Sequence, residues 1–175
     1  MMIKRVHKLI IISVFLLLVV FPLSSTLSQE QTTVIHLKIG STTVWINDQR
    51  QELDLAPFLY QKRTMVPLRF FSEAFGATIE WVANPKLSGE GLILIDLPQQ
   101  GTRIKLHTQV YLVFVESTLP SSPIPSVKTH TLDIAPFVVK PQNRSVVPIR
   151  FISEIFGASL DWNAEYQSIT VTYTR

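Results

Sequence analysis

Between Ile35 and Ile39 apolar residues alternate strictly with His36 and Lys38, the period of two expected of a strand with one buried face. The stretch STTVWI, Ser41 to Ile46, predicts a second strand, and Asn47 and Asp48 supply the turn that ends it. LDLAPFLYQKR, Leu53 to Arg63, interrupts the pattern around Pro57 and predicts a turn-rich connector. The period then changes. Leu68, Phe71 and Phe75 stand at i, i+3 and i+7 between Pro67 and Gly76, which predicts a helix of about two and a half turns started by the proline and stopped by the glycine. Alternation resumes in ATIEW, with Ala77, Ile79 and Trp81 on one side and Thr78 and Glu80 on the other, and GLILIDL, Gly91 to Leu97, closes the series. A helix this short is not stable alone in water, so its phenylalanine face must lie against the sheet.

The series is written twice. RTMVPLRFFSEAFGATIEW, Arg63 to Trp81, returns as RSVVPIRFISEIFGASLDW, Arg144 to Trp162. LDLAPF returns as LDIAPF, Leu132 to Phe137, and IHLKIG has a weaker echo in IKLHTQ, Ile104 to Gln109. The second copy therefore predicts a helix over Pro148–Phe156 and strands at ASLDW and SITVTY. Its main departure, STLPSSPIPSVKTH from Ser117 to His130, replaces the tight turn at Asn47-Asp48 and predicts an exposed irregular loop. The spacing exceeds that of solenoid repeats, about 20–50 residues, so each copy is a small domain. The expected fold class is α+β, two tandem small domains at 32–98 and 102–175, each a mostly antiparallel sheet packed on one short helix. Domains of this size are marginal alone, and the join LPQQGTRIK is too short for a flexible linker, so the copies are expected to dock or to share strands.

Composition adds a compartment. The chain has 175 residues, 46% hydrophobic and 17% charged, enough apolar material for a packed core. At the N-terminus Lys4, Arg5 and Lys8 precede an apolar run from Leu9 to Phe21, which ends at Pro22 and small polar residues. This is the layout of a secretory signal over residues 1–28, and the run is shorter than the roughly 20 residues of a membrane span. An uncleaved anchor is the alternative, and the only membrane contact foreseen. Three of the sixteen basic residues lie in this segment, leaving thirteen to balance thirteen acidic ones, so the rest of the chain is formally neutral despite a net charge of +3. That removes the electrostatic footprint of a nucleic-acid binder. With no cysteine there are no disulfides and no thiolate metal sites.

The polar letters that recur are Asp54/Asp133, Arg63/Arg144, Arg69/Arg150, Ser72/Ser153 and Glu73/Glu154. Arg69 and Glu73, like Arg150 and Glu154, are four apart on a helix, either an acid poised by an arginine or a surface ion pair. Arginine before glutamate is the weaker order, so each of these arginines is expected to reach backbone carbonyls or Asp54 and Asp133 within its own domain. Asp54 and Asp133 precede turns and are expected to cap their own backbone amides. Ser72 and Ser153 lack a nearby histidine base and any Gly-x-Ser-x-Gly elbow, which argues against a nucleophile. His36 and His107 alternate with apolar strand residues and should face solvent, and no His-x-x-x-His pair exists. No catalytic, metal or cofactor-binding residue is assigned. Trp45 aligns with Phe114, each on the face opposite its apolar neighbours, and a covered second face is expected, with the sister copy, a partner protein or a sugar ring as the cover.

LDLAPFLYQKRTMVPLRFFSEAFGATIEW and its partner resemble the copper amine oxidase N-terminal domain-like, or stalk domain, family. The resemblance covers nearly all of both copies, on the core R-[ST]-x-V-P-[LI]-R-F-[FI]-S-E-x-F-G-A. It implies an antiparallel sheet packed on a helix, usually in tandem, on exported proteins of Gram-positive-type bacteria, where such domains accompany peptidases, cell-wall enzymes or S-layer modules. In the oxidases copper and the quinone cofactor belong to a separate catalytic domain, and the stalk pattern carries no catalytic residue to transfer. The usual Asn-Gly before Arg63 and Arg144 is replaced by YQKR and PQNR, which implies a different turn. The expectation is a non-enzymatic, secreted or cell-surface protein without cofactor, acting in envelope-associated interaction or spacing through a cell-envelope protein or cell-wall glycan. The alternative is a carbohydrate- or peptidoglycan-binding module using exposed aromatics such as Trp45 and Tyr111.

Overall fold

Pro67 and Pro148 each end an extended segment and open a helix, because a residue without an N–H loses nothing at that position. The computed structural model describes residues 31–86, 90–118, 121–122 and 124–174, so the signal expected at 1–28 lies outside the described residues. The first copy runs β1 (Thr32–Lys38), β2 (Thr43–Ile46), β3 (Gln49–Glu52), β4 (Phe58–Tyr60), β5 (Arg63–Pro67), α1 (Leu68–Ala74), β6 (Thr78–Ala83) and β7 (Gly91–Leu97). A 3-10 turn over Pro98–Gln100 leads into the same order again. The second copy is β8 (Thr102–His107), β9 (Leu112–Ser117), β10 (Ser126–Thr131), β11 (Phe137–Val139), β12 (Arg144–Pro148), α2 (Ile149–Phe156), β13 (Ser159–Asn163) and β14 (Ser168–Thr174). Gly76 and Gly157 follow the helices with φ of 78° and 71°, and the amides of Ala77 and Ala158 reach back 2.8 Å to the carbonyls of Ser72 and Ser153. Only a residue without Cβ makes that left-handed stop at no steric cost.

The strand pairing does not follow the copies. One antiparallel sheet is ordered β13-β14-β1-β2-β3 and a second β10-β9-β8-β7-β6. Each takes its last two strands from one copy and its first three from the other. Their registers correspond: Val171 faces Ile35 as Ile95 faces Ile104, and Ile169 faces Leu37 as Ile93 faces Leu106. A third sheet, β11-β12-β5-β4, joins the copies through β5 and β12, with Val66 opposite Val147 on the local two-fold. The ranges 32–98 and 102–175 therefore mark repeats of sequence, while Gln31–Arg175 forms one compact unit. Among the described residues, mostly antiparallel sheets with two short helices make this an α+β fold.

One core receives side chains from both helices and all three sheets, including Ile35, Val66, Phe71, Ile95, Val147, Ile152 and Val171. Phe75 stands at its junction, its ring centroid 5.1 Å from Phe156 and 4.8 Å from Tyr173. Met65 and Val146, one residue before the two valines, point to the other face of the third sheet and pack with Ile134 in a smaller cluster.

Three local expectations change. The connector LDLAPFLYQKR contains β4, which pairs with β5 across Gln61 and Lys62 at φ of 47° and 64°. Two successive left-handed residues make the mirror-image turn that matches strand twist, so the Asn-Gly signal is absent while its geometry is kept. The second copy uses the longer turn 140–143, with only Asn143 left-handed there. The segment read as a loop over Ser117–His130 supplies β10, because SVKTHT meets the open edge of β9 and completes its ladder. Among the described residues no helix is long and apolar enough to cross a membrane.

Candidate functional site

The recurring charges join the copies. Arg63 donates from Nε to Asp133 Oδ2, and Arg144 donates from Nε at 2.8 Å, and from Nη2, to Asp54 Oδ2. Because β5 and β12 run antiparallel about Val66 and Val147, each arginine is carried to the LD-x-APF segment of the other copy. Asp54 and Asp133 thus receive guanidinium groups instead of capping their own turns. The arginines involved are Arg63 and Arg144, not Arg69 and Arg150, and the pairs run between copies rather than within them. All four side chains are partly exposed, so each pair is worth about 0–1 kcal/mol and mainly fixes register.

The remaining recurring residues divide. Arg69 Nε lies 4.0 Å from Glu73 Oε1, beyond hydrogen-bonding reach. Ser72 and Ser153 are buried in the core; Ser153 Oγ donates to the Arg150 carbonyl at 2.8 Å, and Ser72 Oγ finds no partner. His36 is exposed, with Nδ1 3.0 Å from Thr170 Oγ1, and His107 is exposed as well. Among the described residues no three potential ligands gather for a metal ion. Trp45 sits between His36 and Arg50 on an outer sheet face and remains 45% exposed, so the sister copy does not cover it. Tyr111 is 55% exposed.

Two of the clefts also correspond between the copies. A cleft of about 500 Å³ opens between α1 and β6 of the first copy and the β11–β12 turn of the second, lined by Pro67, Arg69, Ile79, Trp81, Asn143 and Arg144 among others. Its counterpart, about 400 Å³, is lined by the matching Pro148, Arg150, Leu160, Trp162, Lys62 and Arg63. Neither Glu73 nor Glu154 lines a cleft, so the helix ion pairs do not converge on one, although their arginines open onto it. Glu80 and Asp161 border the clefts, but strand alternation sends their side chains to the face opposite Trp81 and Trp162.

The polar residues that line the first cleft are Arg69, Asn84, Lys140, Asn143, Arg144 and Ser145, together with the carboxylates Glu80 and Glu90. Asn84 Oδ1 is taken by the Lys86 amide at 3.0 Å and Asn143 Oδ1 by Lys140 Nζ at 2.6 Å, which leaves their NH2 groups as donors in a cleft that Arg69 also lines. The aromatic wall has its own seat. A Cβ on Gly91 would stand 2.7 Å from Trp81 Cζ2 and 2.6 Å from the Val82 carbonyl, so the indole lies across a strand position only glycine leaves open. Trp81 and Trp162 are 36% and 49% exposed, although alternation in ATIEW and ASLDW placed them with the core. They stand on β6 and β13, each the edge strand of its sheet. Their recurrence at matching positions was the signal available in the sequence.

The family profile described as the copper amine oxidase N-terminal domain matches residues 24–87 and 125–175. The chain belongs to that family. The copper amine oxidase N-terminal domain match takes in α1 and α2, the cleft residues Trp81 and Trp162 and all four bracing charges, and it extends to no catalytic domain of those oxidases. Comparison with curated proteins and with solved structures gave no match.

Proposed function

We propose that this chain is a non-enzymatic, secreted or cell-surface protein whose paired copies form a rigid piece for interaction or spacing at the cell envelope. The observation that carries this reading is the reciprocal bracing of Arg63 with Asp133 and Arg144 with Asp54, which engages recurring charges in joining the copies. The signal-like layout of residues 1–28 and the match to a non-catalytic domain support it. N-terminal sequencing of the exported chain, with fractionation of wall, membrane and medium, tests the location. Cytoplasmic retention, or an oxidase or hydrolase activity lost in Glu73→Gln, overturns the reading.

A second reading, glycan binding, is favoured by the matched clefts. Their tryptophans offer walled aromatic platforms, which Trp45 on an open sheet face and Tyr111 do not. Retention of the full chain on purified cell wall is the test, and free passage through it excludes the reading.

A further inference from the structure

We infer that each of the two clefts binds a sugar unit bearing a carboxylate, stacked on Trp81 or Trp162 with its charge held by Arg69 or Arg150. The inference rests on the glycan-binding reading and names its site and ligand class. The wall of the first cleft is an indole beside Ile79 and Ile93, an apolar surface of the kind one ring face can cover. Three cationic side chains, Arg69, Lys140 and Arg144, line the first cleft against the two carboxylates Glu80 and Glu90, and Lys62, Arg63 and Arg150 line the second against Asp161. Arg63 and Arg144 are engaged by the aspartates, whereas the nearest acid to Arg69 is Glu73 at 4.0 Å. Arg69 therefore keeps a planar, two-pronged donor for a carboxylate. The NH2 groups of Asn84 and Asn143 and the hydroxyl of Ser145 add donors at the same rim.

Cationic side chains outnumber carboxylates in both clefts, and the helix arginine of the first has no acid closer than 4.0 Å, so a ligand that brings a negative charge to that guanidinium is favoured. A carboxylated ring meets that condition and also presents a C–H face to the indole. A neutral saccharide offers as many donors as acceptors and leaves the guanidinium without its counter-charge. An extended acidic peptide is the rival, because β6 and β13 are open sheet edges, but a peptide of acidic residues has no flat C–H ring face to lay on the indole. The copies repeat tryptophan, helix arginine and apolar wall, so the two sites take the same class of ligand and a polymeric glycan gains avidity from the pair.

The test is calorimetric titration of the full chain with a tetrameric galacturonate, with uncharged maltotetraose and with a glutamate hexapeptide. The galacturonate is expected to saturate near two per chain and to bind about tenfold more tightly than maltotetraose, with affinity falling as salt rises. Trp81→Ala and Trp162→Ala should each remove about half the sites, and Trp81→Tyr should keep them because the ring remains. Arg69→Gln together with Arg150→Gln should erase the preference for the charged sugar while leaving the melting temperature unchanged. Equal binding of the two sugars overturns the proposal, as does binding indifferent to both tryptophans or tighter binding of the peptide. Retention on cell wall that survives Trp81→Ala with Trp162→Ala sinks the cleft assignment but leaves glycan binding standing. Failure of the unaltered chain to bind wall or sugar removes both.

Discussion

Ser72 and Ser153 occupy the same place in matched helices and have different partners. Ser153 bonds the carbonyl three residues back, whereas the hydroxyl of Ser72 is buried with none. An unsatisfied buried polar atom costs about 1–3 kcal/mol, and alanine is also the better helix former, so Ser72→Ala should stabilise the chain by roughly 1 kcal/mol. At this size that raises the thermal midpoint by about 2–4 °C, and Ser153→Ala should not raise it. Glu52 offers a titration at the same scale. The Thr43 hydroxyl, donating at 2.8 Å, is the chief cause holding its carboxyl below the ordinary value of 4.5, followed by Thr42 and with Arg50 contributing. A carboxylate depressed in the folded state contributes stability that is complete above 4.5 and lost as pH falls through the lower folded value. Thr43→Val should move the Glu52 carboxyl carbon titration back up towards 4.5 by NMR, and an unmoved curve would assign the effect elsewhere. Sequence showed which residues recur, but not their partners. Alternation put Trp81 inside because it counts faces without knowing which strand stands at the edge of its sheet, as β6 does.

Among the elements, the helices were legible and the third sheet was not. Proline, a 3.6-residue apolar stripe and glycine fix α1 and α2 from local chemistry alone. β4, β5, β11 and β12 are three to five residues long and bracketed by prolines, so no alternation runs long enough to declare them, and their ladder needs a partner from the other copy. Two devices hold that ladder, and their sizes differ. The exposed Arg144–Asp54 pair should show a coupling of about 0.2–1 kcal/mol in a double-mutant cycle with Arg144→Ala and Asp54→Ala, shrinking in high salt. Phe75, buried between Phe156 and Tyr173, should cost about 3–5 kcal/mol as Phe75→Ala, measured by urea denaturation. Burial decides stability here and charge decides register. An ion-pair coupling larger than the phenylalanine loss would reverse that order.

For the whole molecule, a duplicated sequence establishes that there are two of something but says nothing about who pairs with whom. The exchange of strands became visible only in the registers, where β14 meets β1 as β7 meets β8. One of these junctions is covalent, through Pro98–Gly101, and the other is held by the ladder alone, with Thr174 opposite Thr32. Paired residues of antiparallel strands have Cα atoms about 4.5–5.5 Å apart, so a few residues suffice to join Thr174 to Thr32. A circular permutant of 31–174, closed there and opened between Gln99 and Gln100, should therefore fold with the same strand order. The opening loses the Gln100 Nε2 to Tyr173 hydroxyl bond at 3.1 Å and leaves loop entropy nearly balanced, so stability should fall by no more than about 2 kcal/mol. Hydrogen exchange should then protect β1 and β14 as strongly as in the parent, since both are interior strands of their sheet. Two separately folded domains would behave differently: closing Thr174 to Thr32 would strain them, and cutting at Gln99 would release them as independent units with two melting transitions. A single cooperative transition in the permutant discriminates the arrangements, because only exchanged strands make each copy depend on the other for its sheet.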